Sequence, residues 1–129
     1  MTTEAVIIAG YKLTIPNNID DIESLKEIFK RDYDNLNDDN RLIFINRDYD
    51  SIDIEDYGIY ICQQWVVLPQ SNIATKSDIL KVINTMAEPM PECYKPLLKK
   101  MNIKVSDFNI FTDYCDVDRG ISSLTGLIY

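Results

Sequence analysis

Two apolar runs decide the fold of this 129-residue chain: RLIFIN at residues 41–46 and GIYICQQWVVL at residues 58–68. Both runs are rich in β-branched and aromatic residues, which favour strands. An acidic connection, residues 48–57, separates them, and Pro69 ends the second run because proline cannot donate to a sheet. The two runs are therefore predicted to form an antiparallel hairpin.

A strand and a helix are predicted before the hairpin. The strand covers Ala5 to Ile15 and stops at Pro16. A helix follows, with Asn18 as its N-cap, because apolar residues then recur at three- and four-residue spacing with charged residues between them. These apolar positions are Ile19, Ile22, Leu25, Ile28, Phe29, Tyr33 and Leu36.

Two helices and a strand are predicted after the hairpin. The sequence TKSD at residues 75–78 resembles a capping box and opens a helix, while Pro96 suits the first turn of a short second helix. A last strand is predicted over residues 103–112, and residues 113–129 are interpreted as a tail that is either a loosely ordered loop or a short docked segment. The apolar positions of the first of these helices are Ile79, Leu80, Val82, Ile83 and Met86.

The order of these elements predicts one α+β domain spanning residues 1–129. A chain of this length is about one ordinary domain and can bury a real core. We expect an antiparallel sheet of about four strands with two to three helices on one face. The order is that of a ferredoxin-like (βαββαβ) sandwich.

The net charge of −8 lies in one stretch of the sequence. Residues 20–56 contain thirteen Asp or Glu against five Lys or Arg, while the rest of the chain has eight of each. Nucleic-acid affinity depends on Lys and Arg displacing counterions, so direct nucleic-acid binding is not expected. A basic protein partner fits this charge better.

Several catalytic chemistries are excluded by the residues that the chain lacks. It contains no histidine, which removes Ser-His-Asp and Cys-His catalysis and His-ligated zinc. Its four glycines form neither a Walker A loop nor a dinucleotide-binding fingerprint. The patterns Asp48-x-Asp50 and Asp116-x-Asp118-x-Gly120 begin like a calcium loop but do not complete one. We expect no catalytic residue, no metal and no other cofactor.

The cysteines and the apolar runs indicate the cellular compartment in which the protein is expected. Cys62, Cys93 and Cys115 are odd in number and form no Cys-x-x-Cys pair, which favours free thiols in a reducing compartment. All three are expected to be buried structural residues, with Cys93 the least unfavourable nucleophile. The N-terminus has no basic n-region, and no apolar run is long enough to span a bilayer. A cytoplasmic protein without a membrane contact is expected.

Acidic residues alternate with tyrosine in the charged stretch. The dipeptide Asp-Tyr occurs at residues 32, 48, 56 and 113, and RDYD occurs at both 31–34 and 47–50, either as a small duplication or by chance in an Asp-rich composition. Tyrosine is enriched at interface hot spots, and clustered carboxylates attract basic partners. The predicted partner-binding residues are Asp20, Asp21, Glu23, Asp48, Tyr49, Asp50, Asp53, Glu55, Asp56 and Tyr57. The plain alternative is a solvated surface with no partner.

Three hypotheses for the function follow from these observations. The first is a non-enzymatic acidic module that inhibits another protein by occupying its basic, nucleic-acid-binding or toxin-like surface, as small phage anti-defence and immunity proteins do. The second is an assembly subunit that forms homo-oligomers through apolar residues around Ile61 and Trp65 or through Leu127 and Tyr129. The third is an enzyme that uses a divalent metal bound by carboxylates, which a calorimetric titration without heat would remove.

Overall fold

The computed structural model describes residues 3–32, 42–48, 51–68, 75–118, 120–124 and 126–128. These residues form six strands and three helices, and the predicted α+β class is confirmed. The strands are β1 (Thr3–Thr14), β2 (Leu42–Asn46), β3 (Tyr57–Leu68), β4 (Lys104–Val105), β5 (Asn109–Asp116) and β6 (Ile121–Ser122). The helices are α1 (Ile22–Asp32), α2 (Lys76–Ile83) and α3 (Lys95–Lys100), and a 3₁₀ helix, Ile54–Asp56, precedes β3.

The strands form one antiparallel sheet with β1 and β3 at its centre. β3 pairs with β1 on one side and with β2 on the other, so the predicted hairpin of β2 and β3 is confirmed. The far edge of β1 is shared by β5 and β4, and β6 pairs with β2. The sheet therefore has six strands where about four were predicted.

One of the extra strands arises because the predicted last strand is interrupted. β4 and β5 both pair with β1, but three residues, 106–108, lie opposite two, 11 and 12. The additional residue breaks the ladder in the manner of a β-bulge. The other extra strand, β6, lies in the predicted tail, where β5 also continues to Asp116 and Leu124 is buried.

The sheet carries a hydrophobic core on each face. The core on the helix side combines residues of α1 and α3 with Leu42 and Phe44 of β2. The second core includes Ile43 and Ile45, which alternate with Leu42 and Phe44 along β2. Since successive residues of a strand point to opposite faces, β2 is buried on both sides, which explains its uninterrupted apolar run.

The sheet is strongly curled. In a flat sheet β5 and β2 would lie about 14 Å apart, because β1 and β3 separate them. Their Cα atoms instead come within 8 Å of one another. Four residues, 117–120, then connect β5 to β6 on the opposite edge, and Asn46 N donates to Gly120 O at 3.4 Å. The second core therefore lies inside the curl.

Helix α1 begins three residues later than the sequence predicted. The side chain of Asp21, and not that of Asn18, caps it by accepting a hydrogen bond from Ser24 N at 2.7 Å. Ile22, Leu25 and Phe29 then face the helix-side core, as their spacing predicts. The predicted positions Tyr33 and Leu36 lie outside the described residues.

Helix α2 has the predicted cap but not the predicted buried face. Thr75 Oγ1 accepts from Asp78 N at 3.2 Å, which confirms the capping interaction. Val82 is buried, whereas Leu80 is 41% exposed and Ile83 is 51% exposed. α2 contacts the two central strands, β1 and β3. Within the described part of the chain, no helix is long and apolar enough to cross a membrane.

Candidate partner-binding site

Two segments distant in sequence meet at the start of α1. Residues 20–22 pair with residues 52–54 through an isolated antiparallel bridge between Asp21 and Asp53. Ile22 N donates to Ile52 O at 2.8 Å, and Ile54 N donates to Asp20 O at 3.0 Å. Two backbone hydrogen bonds thus hold the acidic connection against the acidic beginning of the helix.

This pairing brings together most of the predicted partner-binding residues. We call the acidic surface the set Asp20, Asp21, Glu23, Asp48, Asp53, Glu55 and Asp56. All of its members are exposed or half-buried. Asp48 is tied to the same loop, because its carbonyl accepts from Ser51 N at 3.3 Å. The predicted residues Tyr49 and Asp50 lie outside the described residues.

Three predicted contact residues also have a structural role. Asp21 caps α1, and the hydrogen bonds from Ser24, first from its backbone and then from its side chain, lower the pKa of this carboxyl. Asp56 accepts a hydrogen bond from Ser51 Oγ. Tyr57 packs against the helix-side core and donates from its hydroxyl to Ser51 O at 3.0 Å. These side chains hold the loop in place.

The remaining carboxylates of the connection are not engaged in this way. The side chains of Asp53 and Glu55 are exposed, and neither makes a hydrogen bond or an ion pair to another described residue. Together with Asp56 they form a cluster whose carboxylate oxygens lie within 4.8 Å of one another. Like charges at this spacing repel one another, so a cation from outside the chain would be attracted to them.

The same cluster contains the described residues that could hold a metal ion. Carboxylate oxygens are the ligands that Mg²⁺ and Ca²⁺ prefer. Asp53 and Glu55 are open to solvent, where exposed acids are ordinarily hydrated by water. The calcium-loop-like pattern that starts at Asp116 forms a turn. Asp116 is buried, and its Oδ1 accepts a hydrogen bond from Asp118 N at 2.7 Å.

Arg47 is the single base in the sequence between residues 42 and 57, but it does not neutralise the acidic surface. Its guanidinium forms a two-pronged ion pair with Asp113 of β5, with Nε to Oδ1 at 2.6 Å and Nη2 to Oδ2 at 2.8 Å. The Tyr60 hydroxyl donates to the same Oδ2 at 2.6 Å. The guanidinium also lies over the ring of Tyr114, with Cζ 5.8 Å from the ring centroid.

The triad of Arg47, Tyr60 and Asp113 links the end of β2 to β5, the two strands that the curl brings together. Burial alone would raise the pKa of Asp113, but hydrogen bonds from Arg47, Tyr60 and the backbone of Tyr114 outweigh it and hold this pKa below its usual value. Burial and the neighbouring carboxylate raise the pKa of Tyr60. The triad therefore consists of a neutral Tyr60 hydroxyl beside the ionised pair of Arg47 and Asp113.

Gly58 leaves space for the triad. A Cβ atom at this position would overlap the Asp113 carboxylate and crowd the Tyr60 ring and the Arg47 guanidinium. The sequence interpretation missed the triad because its members come from three elements with no local motif. One signal was available: Asp113 stands between Phe111 and Cys115 at a core-facing position of β5, where an acid requires a buried partner.

The cysteines divide into two environments. Cys62 and Cys115 are buried as expected, and burial raises their pKa values to about 12 and about 11. Cys93 is exposed, so the prediction that it is buried is wrong. It lies in the turn before α3, whose core contacts are made by Tyr94, Leu97 and Leu98. None of the three is in a disulfide.

Comparison with known proteins returned no relatives. No protein-family model matches the chain, and neither the curated proteins nor the solved structures contain a match. The function is therefore inferred from the residues of the chain itself.

Proposed function

We propose that the chain is a non-enzymatic, acidic protein-binding module whose acidic surface occupies a basic surface of another protein. One observation carries this proposal: Asp53 and Glu55 converge on the start of α1 while Arg47, the base beside them in sequence, is paired with Asp113. Arg47 therefore does not offset the negative charge of Asp53 and Glu55. Such a field steers a basic partner and speeds its association.

The partner would be a protein that itself binds nucleic acid or carries a similarly basic groove. A set of carboxylates on a fixed backbone can take the place of phosphates for such a protein, so the expected consequence is inhibition of that partner. A cytoplasmic location suits the three free cysteines. The ferredoxin-like arrangement remains our proposal for the fold, and the order β5-β1-β3-β2, antiparallel throughout, supports it.

The proposal is tested by capture from a lysate of the source cells with the purified chain as bait. The surface double variant, Asp53→Lys with Glu55→Lys, reverses the charge of two side chains that make no hydrogen bond or ion pair to another described residue. The control double variant, Asp78→Lys with Asp107→Lys, makes the same charge change at exposed acids elsewhere. Bound proteins are eluted with stepped salt and identified by mass spectrometry.

We expect a basic protein that elutes at moderate salt from the wild-type chain and from the control double variant, and that is absent from the surface double variant. Equal capture by all three baits would contradict a role for the acidic surface. Capture of only the chain itself would favour self-assembly over binding to a basic partner.

A second candidate function is self-assembly through apolar side chains that remain exposed. Ile61 is buried and Trp65 packs against the second core, so the predicted patch around them is not available. In the other predicted patch, Leu127 is 63% exposed, and Tyr129 lies outside the described residues. A further group of exposed apolar side chains is Leu80, Ile83 and Met86, the last 81% exposed. Exposed apolar clusters of this kind mark association surfaces.

Light scattering over a range of concentrations tests this second candidate. Self-association would give a mass that rises with concentration and returns to that of the monomer in an Ile83→Lys variant. A monomer at every concentration excludes it.

A further inference from the structure

A groove of about 440 Å³ lies beside the acidic surface, where the end of β1 passes the loop before β3. Its apolar wall consists of Ile15, Ile19 and Ile54, and its acidic rim consists of Asp20, Asp53 and Glu55. The described residues that line it include no base. Its size lies near the lower end of the roughly 300–1,000 Å³ typical of ligand sites, which suits a single side chain better than a large ligand.

The apolar wall of the groove is held by the fold. Ile15, Ile19 and Ile54 are half-buried and pack against the helix-side core. Ile19 N donates to Pro16 O at 3.2 Å, and Ile54 N donates to Asp20 O, so both sides of the groove are tied by backbone hydrogen bonds. An occupant would therefore meet a largely preformed surface.

We propose that this groove accepts an arginine side chain presented by the partner protein. The inference rests on the proposed function and names the chemistry of the contact. The aliphatic stem of arginine would cover the isoleucines while the guanidinium reaches the rim, which is how long basic side chains divide between apolar and polar surroundings. A bare metal ion would leave the apolar wall uncovered, and an anion would be repelled by the rim.

Arginine suits the rim better than lysine for a geometric reason. The carboxylates come from two segments, residue 20 on one side and residues 53 and 55 on the other. A guanidinium presents five donors in a plane and can address carboxylates on both sides, whereas an ammonium is a compact and strongly hydrated charge.

The test is a nuclear magnetic resonance titration of the full chain with labelled isoleucine δ1-methyl groups. The probe is a capped Gly-Arg-Arg-Gly peptide, compared with peptides in which both arginines are replaced by citrulline, which keeps the shape without the charge, or by lysine. We expect saturable shifts of the Ile15, Ile19 and Ile54 methyl resonances with the arginine peptide. The citrulline peptide should leave these resonances unshifted, and the lysine peptide should bind several-fold more weakly.

Two variants separate the groove from the acidic surface as a whole. Asn17→Trp fills the groove from an exposed position without changing its charge, and we expect it to weaken binding at least tenfold. The surface double variant should weaken binding to a similar degree. A dispersed spectrum of each variant confirms that it is folded.

The possible outcomes distinguish this inference from the proposed function. If the surface double variant loses the peptide but Asn17→Trp binds it as the wild-type chain does, the groove assignment is overturned and the acidic surface remains the binding site. Equal binding of the citrulline or lysine peptide, or absence of shifts at the three methyl groups, also overturns the assignment. Failure of the lysate capture would instead count against the proposed function.

Discussion

Carboxylates occur in two contrasting environments in this chain. At the triad, the side chain of Asp113 is 2% exposed and accepts hydrogen bonds from Arg47 and Tyr60. At the acidic surface, Asp53 and Glu55 have no described partner and stand beside a third acid. The first environment stabilises the fold, whereas the second adds repulsion to it. An acid that contributes nothing to the fold is the better candidate for binding something else.

The largest expected effect comes from breaking the triad. Asp113→Ala removes the acceptor of both Arg47 and Tyr60 and leaves a partly buried guanidinium without its counterion. Loss of one partner of such a pair costs about 3 kcal/mol, so the free energy of unfolding measured by urea denaturation should fall by about that amount. Asp107→Ala, at an exposed acid, is the matched control. A decrease no larger than in the control would show that the triad does not hold the curled sheet.

A smaller effect is expected from removing one hydrogen bond of the triad. Tyr60→Phe deletes the hydroxyl that donates to Asp113 but keeps the ring in the second core. A hydrogen bond to a charged group contributes about 1.5 kcal/mol, and we expect a loss of that size in the same urea experiment. Tyr114→Phe, at an exposed ring, should leave stability unchanged. Equal effects of the two substitutions would argue against the Tyr60 bond.

The pH dependence of stability sharpens the same comparison. The folded pKa of Asp113 lies below its ordinary value of 3.8, so its contribution is complete above about pH 4 and is lost as the pH falls through the lowered pKa. Asp113→Asn should therefore lose less stability than the wild-type chain between about pH 4 and pH 2. Asp21 has a lowered pKa as well, so some acid dependence will remain in the variant. Identical acid slopes would contradict an ionised Asp113.

The smallest effect on stability is expected at the acidic surface. The surface double variant changes two exposed side chains that make no hydrogen bond or ion pair to another described residue. Its free energy of unfolding should therefore stay within about 0.5 kcal/mol of the wild-type value. Thermal or urea unfolding measures this directly. A loss comparable to that of Asp113→Ala would mean that these acids serve the fold, and the contrast between the two environments would disappear.

The sequence predicted those features that depend on neighbours along the chain. The hairpin of β2 and β3, the apolar face of α1 and the cap at Thr75 each follow from a local pattern. Residues 20–22 meet residues 52–54 because the order strand, helix, strand, strand places the start of the helix and the loop between β2 and β3 at one end of the sheet.

Features that depend on distant contacts could not be predicted in this way. Arg47 and Asp113 are 66 residues apart, and their pairing needs the curl of the sheet. In α2, Val82 is buried while Leu80 and Ile83 are exposed, because burial depends on what the rest of the chain packs against the helix and not on its own periodicity. The sixteen-residue offset between the two RDYD copies also relates Ile43 to Ile59, and these two residues belong to opposite cores.

The most direct test of the proposed function is the dissociation constant of the captured basic protein, measured by calorimetry for the wild-type chain and for the surface and control double variants at low and high salt. We predict at least tenfold weaker binding by the surface double variant at low salt and a smaller difference at high salt, because salt screens exposed charges. The control double variant should bind like the wild-type chain. Equal dissociation constants for all three proteins at low salt would contradict the proposal that Asp53 and Glu55 form the binding surface.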